Sequence, residues 1–341
     1  MTSAAQPRNL GRRGFIIGGA AAVAATAAPT PASAARSSSG AMVDADTRFV
    51  LSDPSYRFIR ERKLREHTVL QSFAFDHNSG HLYVAQVVQG GRQLPGESAT
   101  VPGAQRDANG DLCVTKLDYD GNQLGYMYLK GFGHGVCIGV ESVARTAYLW
   151  TETDADTSGT SARGRRIARF EFVHGAVRQY PSTALSVYTP VPGSTHNTVS
   201  VDPLTRRLLV RHVIGGQTRY ALFDIDDVRA GLTTPLANIA QVGVQGTFQG
   251  YTFFGNYLYQ LEGTSYNSGN LPDGNTYVSC VDLRTGLLVE RFLTKAAYTL
   301  AFREPEGLAI QLGSPRLFMG FADGASGDRN FSLYYKGLYG E

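Results

Sequence analysis

Apolar and small residues alternate along this chain in short runs, and one such run recurs. Its copies are Gln71-Ser72-Phe73-Ala74-Phe75, His134-Gly135-Val136-Cys137-Ile138, Asn197-Thr198-Val199-Ser200-Val201, Gln249-Gly250-Tyr251-Thr252-Phe253 and Glu306-Gly307-Leu308-Ala309-Ile310. Each reads polar, small, apolar, small, apolar, a period of two that predicts a β-strand. The openers at 71, 134, 197, 249 and 306 are spaced by 63, 63, 52 and 57 residues. A second apolar run follows each copy: Leu82-Tyr83-Val84, Tyr148-Leu149-Trp150, Leu208-Leu209-Val210, Leu258-Tyr259-Gln260 and Leu317-Phe318-Met319. Turn residues such as Asp76-His77-Asn78-Ser79-Gly80 separate the two runs. Third strands are expected at 112–118, 167–172, 219–225, 277–283 and 331–335, and fourth strands at 124–129 and 288–292. A strand-rich repeat of this length predicts an all-β fold, a five-bladed β-propeller with one blade per copy.

Blade five reaches Glu341 with no residues left for a fourth strand. The run from Tyr56 to Leu64 stands to the Gln71 opener as residues 123–130 stand to the His134 opener. It is expected to supply the outer strand of the last blade, closing the ring without an open sheet edge.

Composition agrees with strands and turns. The chain holds 39 Gly, 18 Tyr and 17 Phe, with 43% hydrophobic and 18% charged residues. The formal charge is +3, but Arg8, Arg12 and Arg13 lie in an N-terminal stretch without Asp or Glu. Taking those three from 32 Lys and Arg leaves 29, which equals the 29 Asp and Glu. The rest is neutral, so charge makes no case for nucleic acid or an anionic membrane as partner.

That stretch reads as an address. Paired Arg12-Arg13, then Phe15, an Ala-rich apolar run and the small-x-small sequence Ala32-Ser33-Ala34 fit a twin-arginine export signal over residues 1–34. Residues 35–45 read as a disordered leader, and 46–341 as the propeller domain. The mature protein is expected to be secreted or associated with the cell wall, without a membrane anchor, and to act as a monomer. Cys113, Cys137 and Cys280 cannot all pair, and they fit small buried positions.

The polar openers Gln71, His134, Asn197, Gln249 and Glu306 form one column, which should ring one mouth of the channel. A second column, Gln86, Glu152, His212 and Glu262 with Phe321 in blade five, ends the second strands. Adjacent strands run antiparallel, so both columns are expected at one mouth, with His196 nearby. Convergent polar groups in a concave site mark these residues as candidate ligand contacts. Glu306 or Glu152 would serve as general acid and His134 or His212 as base, if bonds are broken there. No HxH or HExxH spacing marks a metal site, and neither a GxSxG elbow nor a phosphate-cradling loop is present. No cofactor is expected. The long loops 86–111 and 262–276 leave the sheets on the same face and are expected to rim that mouth.

Several strings are familiar in combination. They are Gly133-His134-Gly135-Val136 with Gly139-Val140-Glu141, Tyr148-Leu149-Trp150-Thr151-Glu152, Arg169-Phe170-Glu171-Phe172, Gln71 to Asp76, and Glu304-Pro305-Glu306-Gly307-Leu308. Together they resemble the TagC-like (teichoic acid biosynthesis protein C-like) β-propeller family, shared with a phage receptor-binding protein, over residues 56–341. The resemblance implies a five-bladed propeller associated with cell-wall glycopolymers, and in the phage relative the binding of wall teichoic acid. It carries over no catalytic residues. An exported chain meets little activated sugar-nucleotide donor, which argues against a transferase. The expected partner is a cell-wall glycopolymer or oligosaccharide, held at one mouth. The alternative is a hydrolase or lyase acting on such a polymer.

Overall fold

In the computed structural model, which describes residues 45–338, the five recurrent runs lie in or lead into the first strands of five separate sheets. The export signal and all but the last residue of the leader lie outside the described residues. Blade one comprises Leu70–Asp76, His81–Val87, Leu112–Leu117 and Gln123–Lys130. Blade two comprises Ile138–Val143, Thr146–Asp156, Arg163–Glu171 and Ser186–Tyr188. Blade three follows with Thr195–Asp202, Arg207–Ile214, Gln217–Asp224 and Ala237–Ala240. Blade four contains Phe248–Phe254, Tyr257–Glu262, Tyr277–Asp282 and Leu288–Leu293. Blade five contains Glu304–Gln311, Arg316–Asp323 and Asn330–Gly337.

Its outer strand is Tyr56–Arg62, paired antiparallel with Asn330–Gly337 through Tyr56↔Tyr335, Ile59↔Leu333 and Arg62↔Phe331. The N-terminal strand thus closes the ring, as the sequence predicts. Burial explains why it stays: Ile59 is inside the core, and Phe58 meets Phe318 edge-on at 5.0 Å. Three strands lie outside those expected: Ser186–Tyr188 and Ala237–Ala240 are the outer strands of blades two and three, and the third joins two blades. Val177–Gln179 leaves blade two and adds in parallel to the outer edge of blade one, linking the two sheets.

First strands pack side by side around the axis, blade five returning to blade one. There is little room there. The space enclosed by Ala74, Gly139, Ser200, Thr252, Ala309 and their neighbours is about 20 Å³, enough for roughly one water molecule. The small positions of the repeat are therefore a packing requirement. Ser72 even donates its hydroxyl to the Gly135 carbonyl of the next blade at 2.6 Å. The axis is filled along this stretch, so the two ends of the propeller are separate surfaces.

All three cysteines are free and buried, and burial pushes the thiols up. Among the described residues, no helix is long and apolar enough to cross a membrane.

Candidate functional site

The polar opener of the repeat sits where the ladder breaks. Blade one pairs Leu70 with Gln86 and then Ser72 with Ala85, leaving Gln71 unpaired. Gln249 is skipped in the same way between Phe248 and Gly250. His196 and Asn197 fall in the irregularity between Thr195 and Thr198, and Glu306 in that between Pro305 and Leu308. A bulge frees one residue from the alternation and re-aims its side chain. In blade two, His134 lies in irregular backbone four residues before the strand at Ile138.

The second column has another setting. Gln86, Glu152 and His212 are 0% exposed and Glu262 is 1% exposed. Three of these side chains hold backbone of the loops around the mouth. Gln86 donates to the carbonyls of Glu66 at 3.0 Å and Thr68 at 2.7 Å, and accepts from the Glu66 amide at 3.2 Å. Glu152 accepts from the amides of Gly135 at 2.8 Å and Gly164 at 2.6 Å. Glu262 accepts from the amides of Gln245 and Gly246, both at 2.5 Å, and pairs with Arg291. His212 reaches only the Val210 carbonyl, at 3.3 Å, and burial pushes its pKa down. Burial pushes the Glu152 carboxyl up, opposed by its amide donors and Arg163. A buried polar group is tolerated where it finds partners, and here the partners are mostly backbone amides and carbonyls around the mouth.

Glu152 also explains the glycine-rich string Gly131-Phe132-Gly133-His134-Gly135. A Cβ on Gly133 would lie 2.1 Å from the Glu152 carboxylate oxygen. Only a bare backbone lets that carboxylate reach Gly135 and hold the segment carrying His134.

His134 meets a partner absent from either column. The long loop of blade one contains a short helix, Gly103–Asn109, ended by Gly110. Gly110 accepts from the Phe132 amide at 2.8 Å, and the Asp107 carbonyl accepts from the Ala162 amide at 3.0 Å. That docking sets the Asp107 carboxylate 2.9 Å from His134 Nδ1. Ser161 Oγ lies 2.8 Å from the same nitrogen and donates to Asp107 at 2.9 Å, while Arg163 donates to Ser161 at 2.7 Å. Burial pushes the Asp107 carboxyl up, but the hydrogen bond and charge of His134, with Ser161 and Arg163, outweigh it and hold it below the usual carboxylate range. An ionised carboxylate only accepts, so the His134 Nδ1 that faces it carries a proton and donates. Ser161 meets the nitrogen facing Asp107, not Nε2, so these three residues do not form a nucleophilic triad.

These groups border a cleft of about 560 Å³ lined by His67, Gln71, Gln89, Asp107, His134 and Arg329, among others. Its walls come from blades one, two and five. Of the nine sequence-derived candidates, Gln71 and His134 line it. Gln249 donates to the Gly263 carbonyl at 2.9 Å, and Asn197 donates to the Arg165 carbonyl at 2.8 Å. Glu306 is buried without a hydrogen-bond partner among the described residues, and burial followed by the charge of Glu304 raises its pKa well above the usual range. Loop 262–276 contributes nothing to the cleft lining; its Tyr266 amide turns instead to the Phe302 carbonyl at 2.8 Å.

The cleft wall is held firmly. Glu66, almost fully buried, accepts from the Gln89 amide at 2.9 Å, Arg92 Nε at 3.0 Å and the Tyr128 hydroxyl at 3.1 Å. Arg106 is inaccessible and ties the loop to itself, donating to Glu97 at 2.6 Å, Asp111 at 2.8 Å and the Arg92 carbonyl at 2.8 Å. Arg329 lies over the Phe302 ring at 3.6 Å. Asp107, Gln89 and Arg329 were missed by sequence reasoning because they lie outside the repeat. The length of loop 86–111 was the only signal for the first two.

Comparison with known proteins supplies a context for this geometry. Residues 69–335 match the family described as the phage 5-bladed beta propeller receptor binding platform domain. A Bacillus subtilis (strain 168) protein named "Putative major teichoic acid biosynthesis protein C" is 26% identical over 291 residues, 82% of this chain and 61% of the relative. The tail fiber of Staphylococcus aureus phage P68 superposes with a TM-score of 0.66 at 19% identity, covering 85% of this chain and 54% of the fiber chain. The chain thus spans between half and two thirds of the length of these relatives.

Proposed function

Because this chain belongs to the phage 5-bladed beta propeller receptor binding platform family, we propose that it is an exported, extracellular or cell-surface protein that binds a cell-wall glycopolymer. The binding site in this reading is the cleft at the mouth where the first strands begin. One observation carries it: a cleft of about 560 Å³ gathers the bulge-borne Gln71, the Asp107-anchored His134 and Arg329 on a wall already fixed by buried hydrogen bonds. Such a wall needs little ordering when ligand arrives, which favours affinity. Gln71 and His134 offer hydrogen bonds to hydroxyls, and Arg329 offers charge to a phosphodiester or carboxylate. The family match and a relative named for teichoic acid biosynthesis support a polymer of that class. Export rests on the twin-arginine pattern of residues 1–34.

Titration of the mature protein with purified wall teichoic acid fragments tests the reading. Saturable binding, lost in the Gln71→Ala plus His134→Ala double variant with the fold intact, is the expected result. No binding by the intact protein, or equal binding by the double variant, sinks it.

A second reading, hydrolase or lyase on the same polymer, draws on the Glu306 carboxyl, whose pKa is raised by burial, as an acid and on His134 as a base. Release of product from labelled polymer, abolished by Glu306→Gln, distinguishes it from binding alone.

A further inference from the structure

The opposite end of the axis holds a cavity of about 180 Å³, framed by the ends of the first strands of blades one, two and three. It lies beyond the filled stretch of the axis and shares no lining residue with the mouth cleft. Its polar walls are His77, Asn78, Glu141, Ser142, Asp202 and Arg206.

Two of these groups carry buried atoms without a hydrogen-bond partner. His77 Nδ1 accepts from the Leu312 amide at 3.2 Å, and its ring stacks on Phe75 with centroids 6.3 Å apart. Burial pushes its pKa down to about 4, so the ring is neutral at ordinary pH. With Nδ1 accepting, the proton sits on Nε2, which is buried and donates to nothing among the described residues. Glu141 is 3% exposed. Its Oε2 accepts from Trp150 Nε1 at 3.1 Å and Arg169 Nε at 2.7 Å. Its Oε1 is buried without a hydrogen bond, with Arg206 at 3.5 Å and Arg229 at 3.8 Å only as ion pairs. Asp202, in contrast, is fully engaged by the Leu204 and Gly255 amides and the Thr205 hydroxyl.

An unmet donor and an unmet acceptor in one cavity specify complementary chemistry. A carboxylate or a phosphodiester offers no proton to Glu141, and an ammonium offers no lone pair to His77. A hydroxyl does both. The volume equals that of roughly six waters at ~30 Å³ each, which admits a molecule of several carbons. We propose that this cavity is a second ligand site, for one polyol or monosaccharide unit whose hydroxyls accept from His77 Nε2 and donate to Glu141 Oε1. Arg206, with its side chain 35% exposed, stands at the cavity's open rim. The site is independent of the mouth cleft and of what that cleft binds.

The chain has a single tryptophan, and its indole nitrogen is bonded to Glu141. Its one indole N–H resonance therefore reports on the cavity. Glycerol and glucose, titrated separately into the ¹⁵N-labelled mature protein, are expected to shift that resonance saturably, while acetate does not. His77→Phe, which keeps the ring stack, should weaken the midpoint by at least about tenfold; Glu141→Gln serves as the second variant if His77→Phe misfolds. Both should leave teichoic acid binding at the mouth unchanged. An absent or non-saturating shift with both polyols, an equal shift in the variants, or a response to acetate instead overturns the proposal.

Discussion

A Cβ placed on Gly307 would fall 2.9 Å from the Cα of Ser72. The last and first blades thus meet backbone against backbone at the axis, and the small position after each polar opener follows from that approach.

Gly307 also has φ +75, a left-handed conformation that resists a side chain. Gly307→Ala should cost at least about 2 kcal/mol, from overpacking added to backbone strain. Urea denaturation of the variant measures it, and a loss within error of zero would contradict the packing argument.

Ring closure by Tyr56–Arg62 places Ile59 in the core between blades five and one. Ile59→Ala should destabilise by about 2–5 kcal/mol, and removal of residues 46–64 should lower the melting temperature of the whole domain. A truncated protein that melts like the full mature form would contradict noncovalent closure.

The loop bearing Asp107 depends on Arg106 and Glu97. Hydrogen bonds from Arg106 outweigh the opposing effect of burial and hold the Glu97 carboxyl down at about 2. Its folded value lies below its unfolded value, so the stabilisation is complete above the ordinary glutamate range of roughly 4.3 and vanishes as pH falls toward about 2. Thermal melts of wild type and Glu97→Gln should differ at pH 6 and converge near pH 2. Arg106→Met leaves the buried Asp111 carboxylate without its cation, while Glu97 keeps Lys130 at 2.9 Å, and should cost about 3–5 kcal/mol.

Glu306 titrates in the other direction. Its folded value is raised by burial and by Glu304, so the unfolded chain releases the proton first and stability falls as pH rises above roughly 4.3. Glu306→Gln removes that penalty. The variant should gain stability relative to wild type on going from pH 4 to pH 8, and an unchanged difference would show that the carboxyl is not desolvated.

Mouth and buried columns should separate by phenotype. Gln71→Ala is expected to weaken polymer binding about five- to tenfold, the loss of a hydrogen bond worth ~1–1.5 kcal/mol, with an unchanged melting temperature. Glu152→Ala strips two amides of their acceptor and should lower the melting temperature first. Calorimetry on both variants with the same polymer distinguishes the two effects.

Local pattern and tertiary structure contributed different things. The sequence by itself determined the five blades, the strand that closes them and the polar opener of each. These follow from alternation and turn chemistry, which act between near neighbours and leave a periodic record. It also placed Gln86, Glu152 and Glu262 at the mouth end, since antiparallel pairing allows nothing else. Only the tertiary structure decided that these three turn to loop backbone while Gln71 and His134 face the cleft. Whether a polar side chain meets solvent or an amide depends on which loop folds over it, and loops carry no period. Asp107 reaches His134 from a helix 27 residues earlier in the chain, docked by backbone hydrogen bonds that any residues could make. The filled axis likewise depends on how closely five strands approach, a distance that emerges only when the ring closes.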